Sequence, residues 1–285
     1  MVKGRNEMSG IRLMTSALLA LVVATASSTT VAAAEVDASL RTQLERIAQR
    51  RIFFGHQSVG VNLLDGIKQL ATSVGVPIRV IEVPTASGVP QATIGHTFVA
   101  RNRDPLQKLL SFEHAFGQQP TGLDIALMKF CYVDITADTD AKALFARYRA
   151  TIDDLRAKNP GTTFVHVTAP LTNVQSGLKE SLKKLIGRAP YGTIENIRRE
   201  EYNALLRHAY QGREPVFDLA RAESTAPDGT AVTVEWNGSI APAMAPAYTD
   251  DGGHLNAAGK LRAARELISV LAAIPGRMVS GGPVR

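Results

Sequence analysis

A three-layer α/β/α domain built on a parallel sheet is the fold class this sequence predicts. Short β-rich runs alternate with longer amphipathic stretches along nearly the whole chain, as parallel strands joined by crossover helices require. Two runs, "DIALMKFCYV" (124–133) and "TTFVHVTAP" (162–170), are almost continuously apolar, the pattern of central strands covered on both faces. No linker, repeat or break in composition divides the 285 residues, of which 45% are hydrophobic and 20% charged, so a single domain over 35–275 is expected.

The elements follow in order. Residues 38–50 read as a short amphipathic helix and "RIFF" (51–54) as the first strand. The next helix, 61–75, sets Val61, Leu64, Ile67 and Leu70 along one face. "IRVIEV" (78–83) is a second strand, and a polar loop bearing glycine and proline runs to about Arg103. Asp104-Pro105 opens a helix, since proline at the first helical position already holds the helical φ. After the central strand 124–133 come a helix over 138–158, the strand ended by Pro170, an insertion over 171–195, a helix over 196–210 and the strand "PVFDLA" (215–220). The loop 221–249 carries the only tryptophan, Trp236, which either stacks on a sugar ring or simply packs. This loop and the insertion are expected to shape the substrate cleft. The last helix, 257–274, aligns Leu261, Ala264, Ile268 and Leu271 and has Asn256 as its cap, and 276–285 form a flexible tail.

At the other end, Lys3, Arg5 and Arg12 precede a 14-residue apolar run (13–26) that leads through small residues to an A-x-A-like exit near Ala34. That is the layout of a secretory signal over 1–34, and it falls short of the roughly 20 residues that span a bilayer. The mature chain is expected to be secreted or periplasmic, without stable membrane insertion after cleavage. The formal charge is +6; Lys3, Arg5 and Arg12 against Glu7 account for two of these charges and leave +4 without a basic block. With no nucleic-acid-binding signature, a nucleic-acid partner is not expected.

Six histidines form no H-E-x-x-H pair, and the single cysteine, Cys131, sits in an apolar run as a buried structural thiol would. "GHQSVG" (55–60) lacks both the lysine of a P-loop and the glycine spacing of a dinucleotide turn. Neither a metal nor a cofactor is expected. In open parallel sheets, sites gather at the carboxyl ends of strands, and two stretches there carry chemistry. Ser58 follows the first strand, where the amides and dipole of the next helix can stabilise an oxyanion. In "DGGH" (251–254), just before the last helix, two glycines let the Asp251 carboxylate turn back onto the His254 ring. Serine needs a base to take its proton, and the base needs an acid to fix its tautomer, so Ser58, His254 and Asp251 make a candidate triad.

This arrangement resembles the SGNH hydrolase superfamily, the GDSL-type esterases and lipases, over roughly residues 50–273. "FFGHQS" stands where that family has its first block, and "DGGHLNAAGKLRAARELI" matches its last. The resemblance implies a flavodoxin-like sheet, Ser58 as nucleophile, His254 as base and Asp251 as its acid, with Asp250 as the fallback. His56 and Gln57 replace the family's aspartate, and His56 either packs beneath the turn or lines the pocket. In the third block, "KFCYVD" keeps Asp134 but has Tyr132 and Val133 where an oxyanion asparagine would fall. Asn102, Lys129 and Tyr132 are the alternative donors, and Gly88 or Gly95 is the second-block glycine. The implied function is an exported serine esterase cleaving a small acyl ester, such as acetyl, on a small molecule or carbohydrate. No long hydrophobic lid segment is evident, which suits a small acyl group. The alternatives are an inactive domain binding polysaccharide or cell envelope, and an O-acyltransferase using the same triad.

Overall fold

The computed structural model describes residues 35–276 apart from Gln118, Ser176, Leu178, Lys179, Ser181, Lys183 and Lys184. The expected signal, 1–34, and the tail beyond Gly276 lie outside the described residues. The chain runs α1 (35–48), β1 (Arg51–His56), α2 (Ser58–Ser73), β2 (Val80–Glu82), β3 (Thr93–Phe98), α3 (Pro105–Phe116) and β4 (Ile125–Met128). It continues through α4 (Ala141–Lys158), β5 (Thr163–Val167), α5 (Thr193–Tyr210), β6 (Val216–Phe217), α6 (Leu219–Ser224), β7 (Thr233–Trp236), β8 (Ser239–Pro242) and α7 (Ala257–Ala273).

Six strands form one parallel sheet in the order β2-β3-β1-β4-β5-β6. Side chains alternate between its faces with the period of two that a pleated strand imposes. Ile52, Phe54, Ile125 and Leu127 enter the core under α1, α2 and α7, whereas Phe53, Ala126 and Met128 enter the core under α3, α4 and α5. The expected three-layer α/β/α architecture is therefore what the chain adopts. β7 and β8 make a separate antiparallel hairpin.

Several boundaries differ from the sequence reading, each for a physical reason. The loop expected to reach Arg103 contains β3, which pairs with β1 from Arg51↔Thr93 to His56↔Phe98. Gly95 in its middle lowers the local strand signal, but pairing on both sides overrides propensity. A Cβ at Gly95 would lie 2.4 Å from a Val89 methyl, so this glycine serves packing within the sheet and not the site. The apolar run 124–133 is regular strand only to Met128. Its last residues turn into a 3-10 segment, Tyr132–Asp134, because the Asp134 carboxylate accepts the Cys131 N–H at 2.6 Å. Helix α2 starts earlier than expected, making Ser58 its first residue, and it buries Val59 and Leu63 while Val61 is only half-buried. On α7 the stripe holds at Ala264, Ile268 and Leu271, but Leu261 is exposed. Part of 221–249 is ordered as α6 and the hairpin, and Trp236 sits in β7 rather than in a loop.

Candidate active site

β1 ends at His56, and Gln57, with extended backbone, delivers Ser58 as the first residue of α2. The first amides of a helix have no intrahelical acceptor, and among the described residues those of Ser58 and Val59 meet no backbone acceptor, whereas Gly60 and Val61 already donate to the Gln57 carbonyl. Gly60 is needed here: a Cβ on it would lie 2.3 Å from the His56 side chain below.

The second half comes from the loop before α7. Gly252 has φ +88°, a left-handed backbone that favours glycine, and the chain folds back so that Asp251 Oδ1 accepts the amides of Gly253 (2.9 Å) and His254 (2.8 Å). Asp251 Oδ2 lies 2.6 Å from His254 Nδ1, and His254 Nε2 lies 3.0 Å from Ser58 Oγ. The carboxyl is held below the usual carboxylate range, first by the His254 backbone N–H and further by the Gly253 amide and the imidazole. An ionised Asp251 fixes the tautomer: Nδ1–H donates to it, and Nε2 is left to accept the Ser58 hydroxyl proton. The ring and Ser58 are both partly open to solvent, so a substrate can reach them. Ser58 Oγ, the imidazole and the carboxylate are thus joined in one continuous hydrogen-bonded chain. Asp250, the fallback acid, is exposed and accepts instead from Asn256 Nδ2 at 3.2 Å, beside the α7 cap.

No family model matches the sequence, and no curated protein matches it. Among solved structures, one similar chain is a Streptococcus pneumonia protein provisionally named a platelet activating factor, at 16% identity over 88% of this chain and 99% of that one, with a TM-score of 0.47. A second is a lipolytic protein provisionally placed in the G-D-S-L family, from Desulfitobacterium hafniense, at 8% identity over 77% and 99%, with a TM-score of 0.45. A third is the family 3 carbohydrate esterase of Clostridium thermocellum, at 14% identity over 80% and 99%, with a TM-score of 0.42. Likeness at this level bears on neither the substrate nor the chemistry of this chain.

The remaining sequence candidates divide. Tyr132 is at the site, edge-on to the His254 ring with centroids 5.6 Å apart, and its phenol occupies the space a Cβ on Gly253 would need. It walls the imidazole, and burial followed by the nearby Asp251 charge raises its hydroxyl pKa. Lys129 is not a cleft residue: its amino group is fully buried, donates to the Phe130 carbonyl at 3.1 Å, and has its pKa lowered by that burial. Asn102 stays in the exposed loop after β3, where its carboxamide oxygen accepts from Lys108 Nζ at 2.7 Å. Gly88 is exposed at the end of a 3-10 turn, Ala86–Gly88.

His56 packs beneath the turn and does not line the pocket. It is buried, its Nδ1 is 2.8 Å from the Gln57 carbonyl, and its Nε2 is 3.1 Å from His96 Nδ1. A carbonyl can only accept, so His56 carries its proton on Nδ1, and His96 must donate from Nδ1 in turn. Desolvation lowers the His56 pKa to about 3, which keeps that ring neutral, and desolvation lowers the His96 pKa as well.

Three supporting residues have contacts that the sequence reading did not assign. Gln57 donates its carboxamide to the carbonyls of Val99 (2.9 Å) and Ala100 (2.6 Å), fastening the loop after β3 to the serine turn. Asn62, one helical turn after Ser58, accepts the Leu255 amide at 3.2 Å and ties the histidine loop to the serine helix. Thr249 Oγ1 accepts the Gly252 amide at 2.9 Å. The one advance signal was a lone asparagine in the apolar run "VNLL".

Proposed function

We propose that this chain is a serine hydrolase that cleaves an ester of a small acyl group through an acyl-enzyme. The observation that supports it is the continuous relay from Ser58 Oγ (3.0 Å) through His254 to Asp251 (2.6 Å). As Ser58 Oγ attacks the carbonyl carbon, His254 Nε2 takes its proton, and Asp251 stabilises the imidazolium. The oxyanion faces the free amides at the start of α2. When the tetrahedral intermediate collapses, His254 returns the proton to the leaving alcohol. Water, deprotonated by the same ring, then releases the acid and restores Ser58.

Acetyl on a carbohydrate is the favoured substrate. A cavity of about 370 Å³ is lined by Asn173, Gln175, Thr233 and Glu235 and not by the triad itself; it is linked to the histidine loop through the Asn173 amide, which donates to the Gly252 carbonyl at 2.8 Å, and its polar groups suit a polar alcohol. Trp236 does not line it, so sugar stacking there forms no part of this reading.

The test is incubation of the folded protein with p-nitrophenyl acetate and with a fluorophosphonate probe. Turnover and labelling at Ser58 are expected, with kcat falling by about 10³-fold or more in Ser58→Ala and in His254→Ala. A well-folded sample that neither turns over nor labels overturns the assignment.

A further inference from the structure

Among the described residues, large apolar side chains left in solvent concentrate in one stretch. Leu182 (60% exposed), Leu185 (82%), Ile186 (61%) and Tyr191 (63%) all belong to the insertion between β5 and α5. Glu180, Leu182 and Leu185 have helical backbone, and spacings of three and four place Leu182, Leu185 and Ile186 on one face. The sequence around them, "LKESLKKLIGR" (178–188), carries Lys179, Lys183, Lys184 and Arg188 against the single acid Glu180. Burying three aliphatic side chains is favourable only if something apolar receives them, and the flanking cations select a receiver with a negative surface.

The insertion leaves and rejoins the fold beside the candidate site. At its start, the Asn173 amide donates to the Gly252 carbonyl at 2.8 Å, in the loop that holds His254. At its end, Gly192 has φ +86° and sits so close that a Cβ would lie 2.9 Å from Thr172 Oγ1. Asn196 closes the base, exchanging hydrogen bonds with the Thr172 backbone at 3.1 and 2.8 Å. The apolar residues therefore stand on an excursion whose two ends are pinned together next to the histidine loop. No helix among the described residues is long and apolar enough to cross a membrane, so contact would be with a surface and not a span.

We propose that this insertion docks the protein on an anionic lipid bilayer through Leu182, Leu185 and Ile186, bringing the Ser58 site to that surface. The docking stands independently of the hydrolase reading, and so does its test. The full chain is floated with vesicles of phosphatidylcholine alone or mixed in equal parts with phosphatidylglycerol. The expected result is at least roughly tenfold stronger binding to the mixed vesicles, lost by a similar factor in Leu182→Ser/Leu185→Ser/Ile186→Ser. Lys183→Gln/Lys184→Gln should weaken the mixed-vesicle binding by about tenfold or more, and salt should do the same. All variants keep residues 1–34, so any binding through that apolar run is common to them. Equal binding by wild type and the triple variant overturns the proposal. So does a wild type that forms dimers without vesicles while the triple variant does not, because the face then belongs to a second copy. Ser58→Ala should bind vesicles as wild type does, and the triple variant should keep its turnover of soluble p-nitrophenyl acetate. A failure of docking is thereby distinguished from a failure of the hydrolase assignment.

Discussion

Asp251 receives four hydrogen bonds on two oxygens: Oδ1 accepts from Thr249 Oγ1 and the amides of Gly253 and His254, and Oδ2 from the imidazole. Replacing it with asparagine keeps the size but allows the wrong tautomer, so Asp251→Asn should lower kcat by roughly 10³-fold with little change in KM. Steady-state kinetics on p-nitrophenyl acetate decide this. Gly253 bears on the same ring through Tyr132, which packs edge-on against it. A Cβ there would meet the Tyr132 ring at 2.5 Å, so Gly253→Ala should displace Tyr132 or His254 and reduce kcat by about tenfold or more while the fold persists. Far-ultraviolet circular dichroism alongside the rate would separate the two effects. The meeting of Ser58, Asp251 and His254 was legible because hydroxyl, carboxylate and imidazole are a complementary hydrogen-bonding set and the alternating pattern puts both stretches at strand ends. Gln57 and Thr249 were not, because glutamine and threonine are common and their roles exist only as contacts with distant backbone.

At the scale of elements, the site depends on how α2 meets α7. Gly66 lies where they cross: a Cβ on it would be 2.5 Å from the Lys260 carbonyl and 2.7 Å from the Ala264 Cβ. Helix propensity alone favours alanine by about 1 kcal/mol, but overpacking a backbone contact costs about 1–3 kcal/mol. Gly66→Ala is therefore expected to lower Tm and also kcat, since Ser58 begins one of these helices and His254 precedes the other. A second junction joins the loops after β3 and β4. Lys108 and Asp134 form an ion pair of 2.6 Å with neither side chain exposed. Asp134 also accepts from the Cys131 and Arg103 amides, at 2.6 and 2.8 Å. Lys108→Met would leave that carboxylate buried without its cation and should destabilise by roughly 3–5 kcal/mol in urea unfolding. Strand and helix order could be read from periodicity, and the Asp134 match pointed to this corner. β3 could not, because its glycine and histidine are dictated by neighbours in the sheet.

At the scale of the whole molecule, Glu223 makes stability depend on pH. It is buried behind the β5 end, where one oxygen accepts the Leu171 amide at 2.6 Å and the other has no partner among the described residues. Burial raises its carboxyl from 4.5 to about 8. Between those values the folded chain holds a proton that the unfolded chain has released, so stability falls as pH rises, by at most about 1.4 kcal/mol per pH unit. Lys129, its amine pKa lowered by burial, acts with the opposite sign below the ordinary lysine value. Glu223→Gln should remove the carboxyl contribution alone, gaining roughly 2–4 kcal/mol on wild type at pH 8 compared with pH 5. Parallel pH profiles of the two proteins in urea would refute this. No sequence pattern announced Glu223, since a glutamate in "RAES" reads as surface until the sheet encloses it.

The 196 residues between Ser58 and His254 also have a consequence in time. A chain made from its amino end presents the serine early, but it has no base until the final helix is synthesised and docks against α2. On the proposed hydrolase reading, the growing polypeptide cannot turn over an ester until that docking is complete. A ribosome that stops before residue 254 releases a product with Ser58 in place and no imidazole to meet it.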